Sequence, residues 1–124
     1  SYLPDNAMLY ACSIPEPEGE FRFIKDDYPN LKLIRGDDLD LSVWGNTDLA
    51  KTDIWFFDTN HTYEQISSEY KLYKPFFKKG CLVFIDDINL NEGMQQFWNE
   101  LNEEKLALPE WHTYLNTGFG VFTV

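Results

Sequence analysis

The sequence is poor in basic residues and has no long apolar stretch. Lys and Arg number 10 against 21 Asp and Glu, a formal net charge of −11 over 124 residues. That sign repels phosphate backbones, so a broad nucleic-acid-binding face is excluded, and so is a basic anchor on an anionic membrane. The longest apolar runs are five or six residues, far short of the roughly 20 that a spanning helix needs. No basic start followed by an apolar run marks a signal peptide. There are only two cysteines, Cys12 and Cys81, each inside an apolar run and without metal-type spacing. Two thiols without a disulfide framework fit a reducing cytoplasm. The two histidines, His61 and His112, stand far apart. No GxSxG elbow, Walker loop or HExxH pair is present, and Gly118-Phe119-Gly120 reads as turn chemistry.

Apolar residues make up 44% and aromatics 17%, enough for a packed core. The length is that of a single domain over residues 1–124. Four short apolar runs read as buried strands: Ala7–Ile14, Leu31–Ile34, Ile54–Phe57 and Cys81–Ile85. Helical spacing separates them. Phe21, Ile24 and Tyr28 precede Pro29. Tyr63, Ile66, Tyr70, Tyr73 and Phe77 form a stripe. Thr62 with Gln65 has the form of a capping box that starts this helix, and Pro75 ends it. Met94, Phe97, Trp98 and Leu101 mark an acidic helix over 92–105. Trp111–Leu115 and Phe119–Val124, joined by Asn116-Thr117-Gly118, read as a hairpin.

Strands alternating with helices predict an α/β fold, a Rossmann-like three-layer sandwich. Its sheet is mostly parallel and carries a C-terminal antiparallel β-hairpin. Ligands in such folds sit at the carboxyl ends of the strands. The residues closing the strands are Asp37 and Asp38, then Asp58 with Asn60 and His61, then Asp86 and Asp87. The topology places them on one rim. Oxygen donors from Asp58, Asp86 and Asp87 suit Mg²⁺ or another hard divalent cation, whereas the bland reading has each Asp capping a helix or solvating a loop. His61 can exchange a proton near neutral pH, or can simply bond a neighbouring carboxylate. His112 reads as structural.

Residues 53–88, DIWFFDTNHTYEQISSEYKLYKPFFKKGCLVFIDDI, resemble the fourth strand, helix and fifth strand of class I S-adenosylmethionine-dependent methyltransferases. The subgroup pattern is a strand ending in D-G-x-H-x-Y, a helix, P-G-G, then a strand ending in D-D or D-N. Asp58, His61, Tyr63, Gly80, Asp86 and Asp87 match it. Thr59 stands where Gly is usual, and Lys79 and Cys81 flank Gly80. The C-terminal N-T-G-F-G-V is similar to the subgroup's closing hairpin. The resemblance implies S-adenosylmethionine as cofactor and methyl transfer to a small-molecule hydroxyl. Asp58 and His61 would be catalytic, with His61 taking the proton. Asp58, Asp86 and Asp87 would hold Mg²⁺ as a Lewis acid. Ser13, Asp37, Asp38 and Asp58 would contact the cofactor.

The family's first strand ends in a Gly-rich loop, and here Pro15-Glu16-Pro17 follows the first run instead. The expectation is a truncated methyltransferase-like core, one βα unit short. The strand order would be Leu31 run, Ala7 run, Ile54 run, Cys81 run, hairpin. A strand donated by a second copy, making a homodimer, is the other repair of a gapped sheet. The alternative function is a degenerate, non-catalytic domain that binds a ligand or protein.

Overall fold

The computed structural model describes residues 4, 6–14, 28–108 and 117–124. The chain divides into two units, residues 1–47 and 48–124. In the first unit, β1 (Leu9–Ser13) and β2 (Leu31–Arg35) pair in parallel, with Leu9 opposite Leu31 and Ser13 opposite Arg35. β1 lies within its predicted run, and β2 extends one residue past its own, to Arg35. The expected burial on both faces is not found there, since Met8, Leu9, Tyr10 and Ile14 are exposed. The predicted helix over Phe21 and Ile24 lies outside the described residues, as do Trp111–Leu115 and His112.

No α-helix links β2 to β3 (Ile54–Phe57). Two 3₁₀ turns, Leu41–Trp44 and Leu49–Lys51, take its place. Asp40 starts the first by accepting from the Ser42 N–H at 2.9 Å. Gly45, at φ 57°, stops it. These short polar and glycine positions favour turns over helix propagation.

The second unit holds a mixed four-stranded sheet. β3, β4 (Leu82–Asp86), β6 (Phe119–Thr123) and β5 (Lys105–Leu108) lie in that order. β3 and β4 are parallel, while β4–β6 and β6–β5 are antiparallel. Among the described residues the strands form two sheets, β1-β2 and β3-β4-β6-β5, where one mostly parallel sheet was expected, and the second is mixed.

α1 (Tyr63–Tyr73) and α2 (Glu92–Glu100) contribute the other side of the second unit's core. Thr62 caps α1 by accepting from the Gln65 N–H at 3.2 Å. The Gln65 side chain donates through Nε2 to Glu69 Oε1. Pro75 falls in a 3₁₀ turn, Lys74–Phe76, directly after α1, where its missing N–H breaks the helical ladder. α2 ends at Glu100, earlier than the predicted Lys105. The Lys105 ammonium instead donates to the Trp98 and Leu101 carbonyls at the helix end, where a cation also suits the helix dipole.

The strand alternation sorts side chains cleanly. Trp55, Phe57, Val83, Ile85 and Phe122 are buried, as are Ile66, Tyr73, Met94, Phe97 and Trp98 of the helices. The Trp55 ring packs on Tyr73 and Phe77, and Tyr70 meets Phe97 and Phe122 edge-on. Ile54, Phe56, Leu82, Leu106 and Leu108, which alternate with buried or intervening positions, are exposed. β3 and β4 thus bury one face each, whereas their continuous apolar runs predicted two, and β5 is exposed from Leu106 to Leu108.

Candidate functional site

β3 and β4 are neighbours in parallel register, with Phe57 opposite Ile85. The residues that follow their carboxyl ends are therefore brought together. Asp58 leaves β3 and Asp87 leaves β4. The loop from Asp58 to His61 returns the histidine between them. His61 Nε2 lies 3.4 Å from Asp58 Oδ1 and 3.2 Å from Asp87 Oδ2. The imidazole is 28% exposed and the Asp87 carboxylate 20%. His61 Nε2 is itself out of contact with solvent, and among the described residues it has no aligned hydrogen bond.

Asp87 has φ 55°, the only positive φ at a non-glycine position among the described residues. That backbone region costs a β-carbon residue roughly 1 kcal/mol or more, and it concentrates at functional sites. Here it turns the Asp87 carboxylate to His61. The Ile88 and Asn89 N–H groups then bond to the Gly118 and Thr117 carbonyls, so the turn is tied to the chain entering β6.

Two further ties hold the histidine loop. Asn91, the N-cap of α2, accepts from the Met94 N–H at 2.9 Å and donates through Nδ2 to the His61 carbonyl at 2.7 Å. Thr59 donates to the buried Glu69 carboxylate. The starts of α1 and α2 come close beside this loop, where a β-carbon on Gly93 would meet Tyr63 N at 3.0 Å. Between them lies a shallow depression of about 410 Å³ bordered by His61, Thr62, Tyr63, Asn91, Glu92 and Gly93. Sequence reasoning singled out neither Glu69 nor Asn91. The signal for Asn91 was available, since Asn followed by Glu and then an apolar stripe is a helix start.

The donor set does not fit the expected cation. Among the described residues, no group of three or more His, Cys, Asp or Glu is placed to hold a metal ion. Strand alternation puts Asp86 in step with Leu82 and Phe84 rather than with the buried Val83 and Ile85. The turn at Asp87 sends the next carboxylate to His61 instead. A nitrogen thus stands between Asp58 and Asp87 where the trio Asp58, Asp86 and Asp87 would need a cation.

In the first unit, parallel pairing brings the ends of β1 and β2 together, and the Gly36 N–H donates to the Ser13 carbonyl at 3.0 Å. The Ser13 hydroxyl donates to the Ile14 carbonyl at 3.2 Å. Asp37 Oδ1 accepts from the Leu39 N–H at 2.9 Å. Burial first, then the Asp38 and Asp37 charges, push the Cys12 thiol above its ordinary value. Carboxylate oxygens and a serine hydroxyl are a donor and acceptor set that suits the hydroxyls of a ribose.

Among the described residues, no helix is long and apolar enough to cross a membrane. No curated protein matches the chain. The fold is similar to a crystal structure titled as that of "a putative caffeoyl-CoA O-methyltransferase from Staphylococcus aureus", with a TM-score of 0.55 and 14% identity. The likeness covers 77% of this chain and 52% of that one, so the chain spans about half the length of that protein. It establishes an α/β fold of this kind. A family model described as "Methyltransferase domain" matches residues 6–88, which include residues of both units. With well over half of its length matched, the chain belongs to the methyltransferase domain family.

Proposed function

We propose that the chain transfers a methyl group from S-adenosylmethionine to the hydroxyl of a small molecule, with His61 as general base. The observation that carries this reading is the placement of His61 Nε2 within 3.4 Å of Asp58 and 3.2 Å of Asp87 at the ends of two adjacent parallel strands. Bound S-adenosylmethionine supplies an electrophilic methyl on a sulfonium. The chemistry left to the protein is to orient the acceptor and accept its proton. His61 takes the hydroxyl proton on Nδ1, since Nε2 faces the carboxylates, as the oxygen bonds the methyl carbon and the sulfur–methyl bond breaks to leave the thioether; the resulting imidazolium lies beside Asp58 and Asp87, which attract it. Asp58 and Asp87 hold the ring in place. In the first unit, Asp37, Asp38 and Ser13 are the candidates for the ribose hydroxyls. No step is assigned to a divalent cation.

A second reading is a binding domain without catalysis. The exposed apolar residues Ile54, Phe56, Leu82, Leu106 and Leu108 of the second unit favour it, since such a patch suits a partner surface.

Calorimetry with S-adenosylmethionine and a mass-resolved methylation screen of hydroxylated acceptors test the first reading. Binding and product are expected. His61→Gln should lower kcat by about 10²–10⁴-fold, the usual contribution of a general base, and leave cofactor affinity unchanged. No heat at millimolar cofactor overturns it and leaves the binding domain, whereas full activity in His61→Gln removes His61 as the base.

A further inference from the structure

We infer that Glu69 is a positioning residue that holds the Asp58–His61 loop in its working geometry, an inference that rests on His61 being the base. Glu69 stands on α1 and is 0% exposed. A carboxyl in such a place costs several kcal/mol unless its oxygens are satisfied, and an apolar side chain would suit the core better. Its partners show where the carboxyl acts. Oε1 accepts from the Thr59 hydroxyl at 2.5 Å and from Gln65 Nε2 at 2.6 Å. Thr59 lies between Asp58 and His61 in a segment without regular secondary structure. Its residue is exposed, yet its hydroxyl is turned inward.

The loop is thus gripped at three points. Glu69 holds Thr59 from beneath, the Thr62 N–H bonds the Asn60 carbonyl at 2.8 Å, and Asn91 holds the His61 carbonyl. Only the first reaches into the core. Gln65 belongs to the same device. Its amide donates to Glu69, orienting the oxygen that Thr59 uses. A short hydroxyl-to-carboxyl link of this kind converts the rigidity of α1 into a fixed place for the imidazole. Loss of placement by about 1 Å can cost about 10²-fold in rate.

The test uses Thr59→Val, Glu69→Ala, Glu69→Gln and His61→Gln in the full chain. The His61 imidazole resonance, assigned by its absence in His61→Gln, is read by NMR alongside methyl-transfer kinetics. Thr59→Val and Glu69→Ala should each move that resonance and lower kcat about 10–100-fold, with KM for the cofactor within about twofold. Glu69→Gln keeps an acceptor oxygen and should restore both readouts. In a His61→Gln background, neither Thr59→Val nor Glu69→Ala should cost more than about a further twofold, because the effect passes through His61. If Glu69→Ala does not fold, Thr59→Val cuts the same link from its exposed end. An unmoved His61 resonance in Thr59→Val overturns the inference. A moved resonance in a chain without methyl transfer upholds the link and removes the proposed activity instead.

Discussion

Asn91 carries two duties that substitution can separate. Its Oδ1 caps α2, and its Nδ2 holds the His61 carbonyl. Asn91→Ala removes both. An N-cap is worth about 1 kcal/mol, and an exposed neutral hydrogen bond about 0.5–1 kcal/mol, so the loss should be about 1.5–2 kcal/mol. With a urea dependence of about 1.5 kcal/mol per molar for a chain of this size, the unfolding midpoint should fall by about 1 M. Asn91→Ser keeps an oxygen for the cap and loses only the bond to His61, so its midpoint should fall by about half as much. Asn91→Asp also keeps the cap and adds a charge that the helix dipole favours by about 0.3–1 kcal/mol. It sets a carboxylate against the His61 carbonyl, however, and should lower methyl transfer more than it lowers stability. Urea unfolding followed by tryptophan fluorescence reads all three. Equal midpoints for Asn91→Ala and Asn91→Ser would show that the cap contributes nothing. A wild-type midpoint in Asn91→Ser would show that the tie to His61 contributes nothing.

Two other perturbations have definite signs. A β-carbon on Gly120 would meet the Trp98 ring at 2.6 and 2.7 Å and Ile88 Cγ2 at 3.0 Å. Gly120→Ala should therefore destabilise by about 1–3 kcal/mol, and an unchanged urea midpoint would refute the close packing of β6 on α2. Burial chiefly, against a smaller opposing effect of Lys78, pushes the Cys81 thiol above its ordinary 9.0. The unfolded thiol ionises first, so this contribution to stability is whole below pH 9 and is lost as pH rises beyond it. Wild type should lose more stability than Cys81→Ala between about pH 8 and pH 10, and parallel losses would refute the assignment.

Where short apolar runs alternated with a helical stripe, the elements were legible, although the burial of the strands on both faces was not found. The runs at Leu31, Ile54 and Cys81 became β2, β3 and β4, and the stripe from Tyr63 to Tyr73 became α1, ended before Pro75. The Asp58, His61 and Asp87 grouping was legible for the same reason, since parallel neighbours deliver their following residues to one place. Less could be read where one residue type serves two structures. Lys105-Leu106-Ala107-Leu108 continues the helical stripe on paper, yet it is β5 and pairs with β6, the place that Trp111–Leu115 was expected to fill. Asp86 and Asp87 look alike as a pair, and only the backbone turn at φ 55° sends one of them to His61. Glu69, a charged residue on a helix, reads as solvent-facing until its partners are known. Neither its burial nor the dual use of Asn91 leaves a mark on residue spacing.

The position of β6 also sets an order of assembly. The strand that joins β4 to β5 is the last among the described residues, and it begins about 33 residues after β4 ends. During synthesis at roughly 5–20 residues per second, β4 waits about 2–7 s for the neighbour that pairs its free edge. Until then Leu82, Val83 and Phe84 present an apolar edge to any other extended segment. The second unit's sheet therefore closes only once the Phe119–Thr123 segment has been made. Conditions that slow synthesis late in the chain should lower the yield of folded protein without altering the stability of what has folded.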